Sequence, residues 1–120
     1  MKESMLHNKA LEFATEIVLF YQEFSKTNKD NTLSKQLLRS GTSIGANLNE
    51  ATYGNSKADF IAKLHISLKE TDESIYWLKL FQNAKLIENT RATKLINLAE
   101  EIKAILISSL NTSKGNMQGK

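Results

Sequence analysis

Neither cysteine nor proline occurs among the 120 residues. Without cysteine there is no disulfide and no thiolate metal site, which fits a reducing cytoplasm. Without proline, no helix interior loses a backbone donor. Glycine is sparse at five residues, so the chain has few positions set aside for sharp turns. Only two histidines are present, His7 and His65, and they do not form a His-x-x-x-His pair. No Glu has a His three residues later, which excludes the di-iron carboxylate bundles. Long apolar runs are missing as well. The segment after Met1 is charged and polar, and Glu12 and Glu16 interrupt the apolar residues beyond it, so it reads as neither a signal peptide nor a membrane span. The expectation is a cytoplasmic protein without membrane contact.

What is present is helical periodicity. Hydrophobic residues make up 41% of the chain and charged residues 24%, a globular balance, and the length suits one domain. A first helix is predicted from about Ser4, read as its N-cap, to about Lys26. Leu6, Ala10, Phe13, Ile17, Phe20 and Phe24 form its main stripe, which Leu11, Ala14, Val18 and Tyr21 widen. That arc is broader than one neighbour covers. It belongs to a central helix of the bundle, or its second half is buried against another subunit.

A turn at 27–31 leads to a second helix ending near Tyr53. Leu33, Leu37, Ile44, Leu48 and Ala51 make an apolar seam on it. Beside that seam runs a polar row of Gln36, Ser43, Asn47 and Glu50, predicted to be enclosed between helices or protomers. Gly41 and Gly45 each cost about 1 kcal/mol of helix propensity relative to Ala. They soften the helix or admit another backbone, and the slim neighbours Ser43 and Ala46 favour close approach. Gly54 is read as a C-terminal cap, with Ser56 or Asn55 as the next N-cap and Asp59 near that helix's positive end. The third helix, to about Asn83, has Phe60, Leu64, Ser67, Leu68, Thr71, Ile75 and Leu78 as its core stripe, and a second edge of Asp59, Ile66, Glu70, Glu73 and Trp77. Asn89 or Thr90 caps a fourth, which buries Leu95, Leu98, Ala99, Ile102, Ile105, Leu106 and Leu110. Short joints between long helices imply an all-α, antiparallel up-down-up-down four-helix bundle over 1–113, with a flexible tail at 114–120.

Reactive constellations are scarce. Gly41-x-x-x-Gly45 has no preceding strand and no Lys-Ser/Thr pair after it, so it is no phosphate loop. Ser40 and Ser43 lack a His or Lys base nearby in sequence. Glu50, Glu70 and Glu73 converge if the second and third helices pack antiparallel about Gly54; Arg39, Asn47 and Ser43 then satisfy them as a structural polar cluster, a reading preferred to a metal site. No enzyme activity, cofactor or metal is expected. Tyr53, Tyr76 and Trp77 read as core or interface anchors more readily than as stacking platforms for bases. Lys35 and Arg39, with Arg91 and Lys94, are the candidate phosphate contacts.

Gln36-Leu37-x-Arg39-Ser40-x-x-Ser43-Ile44-x-x-Asn47-x-x-Glu50-Ala51, then Ser56-x-x-Asp59-Phe60, then Leu68-x-Glu70-x-x-Glu73, resembles one family over nearly the whole chain. It is the family of four-helix bundle proteins encoded in intervening sequences of bacterial large-subunit ribosomal RNA genes. Gly45 between the motif's Ile and Asn, and Ser67 where Ala is expected, depart from the pattern. The resemblance implies a homo-oligomer, a pentameric ring of bundles. It extends to the accessory protein of diversity-generating retroelements, whose basic ring surface binds nucleic acid and a reverse transcriptase. The implied function is non-enzymatic binding of RNA or a ribonucleoprotein, or else a protein scaffold with no nucleic-acid contact. The chain's net charge of +3 is modest, but five copies on one particle bring it to about +15, enough to steer a polyanion.

Overall fold

The computed structural model describes residues 2–54 and 56–118. Four helices fill them: α1, Lys2–Thr27; α2, Thr32–Thr52; α3, Lys57–Asn83; and α4, Asn89–Gln118. Each packs on its chain neighbours and α1 closes on α4, while α1 and α3 meet across the diagonal through the rings of Phe20, Phe24 and Phe81. The result is the expected antiparallel bundle, a rod of 54 × 23 × 21 Å.

The apolar stripes meet along the rod's axis. Leu6, Ala10, Phe13, Ile17 and Phe20 of α1 are buried against Leu37, Ile44 and Leu48 of α2, Leu64, Ile75 and Leu78 of α3, and Leu95, Ile102 and Leu106 of α4. Phe24, Leu68 and Ile105 pack on this core half-buried. Leu33 departs from the expected seam: at the first turn of α2 it is 41% exposed. Buried among these side chains is a second, polar row. Ser67 Oγ donates to the Ile44 carbonyl at 2.9 Å, and Ser74 Oγ to Ser40 Oγ at 2.9 Å. Thr71 Oγ1 donates back to the Ser67 carbonyl. Small hydroxyl side chains let α2 and α3 approach closely, and each finds a partner, so among the described residues no buried side-chain polar atom is left unpaired.

Helix ends differ in detail from expectation. Ser4 lies inside α1, which already runs at Lys2, so it is not the N-cap. Ser56 does cap α3: its extended backbone lets Oγ accept from the Asp59 N–H at 3.1 Å. Asn55, the alternative cap, lies outside the described residues. Gly54 is not a left-handed cap, since no described glycine has positive φ. A Cβ there would sit 2.5 Å from Asp59 Oδ2, so this glycine makes room for a carboxylate. The left-handed residue is Lys85, φ 61°, just past α3. Leu86 N–H reaches the Phe81 carbonyl at 2.8 Å and Lys85 N–H the Gln82 carbonyl at 3.1 Å, a Schellman closure built on lysine. Helix α4 starts at Asn89, with the Glu88 carbonyl accepting from Ala92 N–H, so Asn89 and Thr90 are its first residues and not the cap. It also runs beyond Asn111, where composition points to a tail, as far as Gln118.

Gly41 and Gly45 both face α1, with unequal need. A Cβ on Gly41 would lie 3.0 Å from Ile17 Cγ1, whereas one on Gly45 would make ordinary contact with Ala10 at 3.7 Å. Close approach explains the first glycine only.

Candidate functional site

The predicted polar residues of α2 divide into two groups. Arg39 reaches across to α3, where Nη1 donates to Glu70 Oε1 at 3.2 Å and Nη2 donates to Glu73 Oε2. Trp77 Nε1 donates to the same Glu73 oxygen at 3.0 Å, completing a cluster of four residues. The Trp77 indole N–H, then Arg39, hold the Glu73 carboxyl below its ordinary range. Glu73 and Glu70 in turn hold the Arg39 guanidinium above its own. The Glu70 side chain keeps only 12% of its accessibility, so this is a partly desolvated ion pair and not a loose surface contact.

Glu50 lies outside that cluster. It accepts from Lys63 Nζ at 2.7 Å with 57% of its side chain exposed. The convergence of Glu50 with Glu70 and Glu73 is therefore not found: in the α2–α3 register Glu50 stands level with Lys63, near the turn, and Glu70 and Glu73 stand level with Arg39, further along the helices. Among the described residues, no group of three or more His, Asp or Glu comes together to hold a metal ion. Ser43 Oγ bonds the Arg39 carbonyl at 2.6 Å and Asn47 Nδ2 the Ser43 carbonyl at 2.8 Å, both within α2. Ser43 and Asn47 are half-buried, and Gln36 is exposed. Within one chain the row Gln36-Ser43-Asn47-Glu50 is thus a partly wet edge, not an enclosed seam. Short polar side chains satisfied by their own backbone leave it neutral and slim.

The candidate phosphate contacts divide as well. Arg39 is committed to α3. Arg91 forks onto Glu23 of α1 at 3.0 and 3.2 Å and lies over the Phe20 ring, 5.4 Å from its centroid. Both arginines fasten helices. Lys35 and Lys94 stay exposed and outside every ion pair of the described residues. Topology gives them company. The α1–α2 and α3–α4 turns lie at one end of the rod, where Phe20, Phe24 and Phe81 cluster with ring centroids 5.6–5.8 Å apart. Exposed Lys26, Lys29 and Lys85 occupy the same end. Of the acids there, Glu23 is engaged by Arg91, Asp30 accepts from the backbone N–H and hydroxyl of Thr32, and Glu88 is exposed in the α3–α4 turn. One-dimensional patterning could not show this cluster, because it joins turns more than fifty residues apart.

Charge is also uneven around the rod. Ion pairs strap α1 to α4 (Lys9–Glu101, Glu23–Arg91), α2 to α3 (Arg39–Glu70 and Glu73, Glu50–Lys63) and α3 to α4 (Asp72–Lys103). Among the described residues none crosses from α1 to α2. There Thr52 and His7 make a polar contact of 3.2 Å between the helices. On the His7 flank of α1, Leu11, Ala14, Val18 and Tyr21 follow at spacings of three and four, with Leu11 68% exposed. On α2, Leu38, Thr42, Gly45 and Asn49 keep the same rhythm. The widened arc of the first helix is therefore not consumed inside the bundle.

Of the remaining aromatics, Tyr53 and Tyr76 are exposed, and Trp77 is half-buried with Tyr76 edge-on to it. His65 is exposed. No helix among the described residues is long and apolar enough to cross a membrane.

Comparison with known proteins adds the family. No curated protein matches the chain. A solved structure does: a protein of unknown function from the S23 ribosomal protein family of Bacteroides thetaiotaomicron VPI-5482. It is 44% identical, with a TM-score of 0.89 over 92% of this chain and 99% of that one. The family model for the 23S rRNA-intervening sequence protein matches residues 2–108. With its motif residues carried on α2 and α3 of a four-helix bundle, the chain belongs to the 23S rRNA-intervening sequence protein family.

Proposed function

We propose that this chain is a non-catalytic building block that self-associates through its uncharged α1–α2 flank and binds RNA, or an RNA–protein assembly, with its lysine-rich end. One observation carries the reading: charge is segregated. Among the described residues three seams are fastened by ion pairs, the fourth presents exposed Leu11 with half-buried Val18, Tyr21 and Leu38, and five exposed lysines outside those pairs, Lys26, Lys29, Lys35, Lys85 and Lys94, lie at one end of the rod. Apolar flanks left wet by a monomer are what a neighbouring subunit covers. The Ile66–Trp77 edge of α3 offers a second, different surface, as a closed ring requires. A ring of five, the state the family resemblance implies, sets five lysine-rich ends side by side on one rim. Lysine meets phosphate as a point charge without base readout, so the expected binding is salt-sensitive and tolerant of sequence.

A mobility-shift titration with a structured RNA at two salt concentrations tests this. Binding weakens steeply with salt, and the triple variant Lys29→Gln, Lys35→Gln, Lys85→Gln lowers the salt slope by roughly one unit for each phosphate it no longer neutralises. Salt-insensitive or absent binding removes the RNA half of the proposal. The uncharged flank by itself also fits a scaffold that holds a protein partner. A partner retained after nuclease treatment, with no RNA shift, selects that alternative.

A further inference from the structure

We infer that the end of the bundle opposite the lysines is a binding site for a small, uncharged, largely apolar molecule carrying a single hydrogen-bonding group. The two ends of the core are finished differently. At the lysine end Phe20, Phe24 and Phe81 pack on one another, and the hollow beside them, about 460 Å³, is lined by the charged groups Glu23, Glu88 and Arg91. At the other end the facing side chains are small, and a cavity of about 540 Å³ remains. Its floor is the core itself: Leu6, Leu48, Ala51 and Leu64 are each no more than 4% exposed, and half-buried Phe60 stands at the side. Among the described residues the rim is polar and carries no carboxylate, lysine or arginine, being formed by Ser109, Thr112 and Ser113 of α4 opposite the His7–Thr52 contact. This size falls within the roughly 300–1,000 Å³ of small-molecule pockets, and apolar walls with few polar groups are their usual make-up.

The lining decides the ligand class. An ionised ligand would lose its hydration to leucine and phenylalanine, and the described lining offers it no carboxylate, lysine or arginine in return, which is strongly unfavourable. A neutral molecule loses little and gains dispersion contact with the apolar walls. One hydroxyl, N–H or carbonyl on it has hydroxyl partners along the rim. The α4 part of that rim, Ser109 to Ser113, lies past residue 108, where the family match ends, so the cavity is built partly from sequence outside the family pattern. Its occupancy does not depend on the RNA proposal.

The neutral dye N-phenyl-1-naphthylamine, which brightens in apolar surroundings, is the probe, with 1-octanol as competitor. The full chain takes up the dye saturably, octanol displaces it, and methyl NMR shifts concentrate on Leu6, Leu48 and Leu64. Ser109→Phe, which fills the rim, weakens dye binding at least tenfold, while Leu86→Ala at the lysine end leaves it unchanged. No saturable uptake overturns the inference, as do equal affinity in Ser109→Phe or shifts centred on Leu11, Val18 and Leu38. If Ser109→Phe does not fold, the methyl map of the unaltered chain decides between the same two outcomes.

Discussion

Two glycines four residues apart look equivalent in sequence and are not. At Gly41 the nearest Ile17 carbon would be 3.0 Å from an added Cβ, so Gly41→Ala forces α1 and α2 apart or displaces Ile17. Overpacking of that kind costs about 1–3 kcal/mol, more than the helix-propensity gain returns. At Gly45 the added Cβ finds ordinary contact, and Gly45→Ala raises stability by up to about 1 kcal/mol. Urea denaturation of the two variants shows opposite shifts of midpoint; shifts of the same sign would contradict the packing described. Glu73 makes a second prediction. Its carboxyl is held low in the folded chain, first by Trp77 and then by Arg39, so its contribution is present above the ordinary glutamate value of 4.5 and is lost as pH falls through the lower, folded value. Glu73→Gln therefore lowers the melting temperature at neutral pH and flattens its decline below pH 4.5. A variant with an unchanged acid profile would show that Glu73 is not part of the coupling.

Between elements, the α2–α3 contact combines one hydroxyl row inside and one ion-pair cluster outside. Arg39→Ala strands Glu70, which has little access to water, and costs on the order of 1–2 kcal/mol. Glu50→Ala removes an exposed pair with Lys63, which solvent screens, and costs less than Arg39→Ala. Thermal melts that rank Glu50→Ala above Arg39→Ala would refute this order. The helices themselves were readable from spacing, because Leu6-Ala10-Phe13-Ile17-Phe20 and its counterparts repeat at helical period. The pairing of Arg39 with Glu70 and Glu73 was readable too, since opposite charges on adjacent helices at matching height meet. The partner of Glu50 was not, because the antiparallel register sets it level with Lys63 near the turn and not with Glu70 or Glu73. Nor was the cap at Lys85, where a lysine takes a backbone conformation that composition assigns to glycine.

At the scale of the whole molecule, four amphipathic helices leave charge where the chain must stay wet and omit it along one side. Leu11 and Val18 add nothing to the interior that Phe13 and Ile17 do not already supply, so their value lies at the surface. The double variant Leu11→Lys, Val18→Lys accordingly keeps a helical circular-dichroism spectrum and a cooperative melt while losing assembly. Under the proposed function the RNA affinity of such a variant falls along with it, because lysine ends acting together on one particle would act singly on a dissociated chain. Light scattering coupled to size-exclusion chromatography tests the central claim, that this chain works as an assembled particle. The unaltered protein is expected to elute at five times its 13.5 kDa chain mass, and the Leu11→Lys, Val18→Lys variant at one chain mass. An unaltered protein that elutes at a single 13.5 kDa mass at every concentration would contradict it.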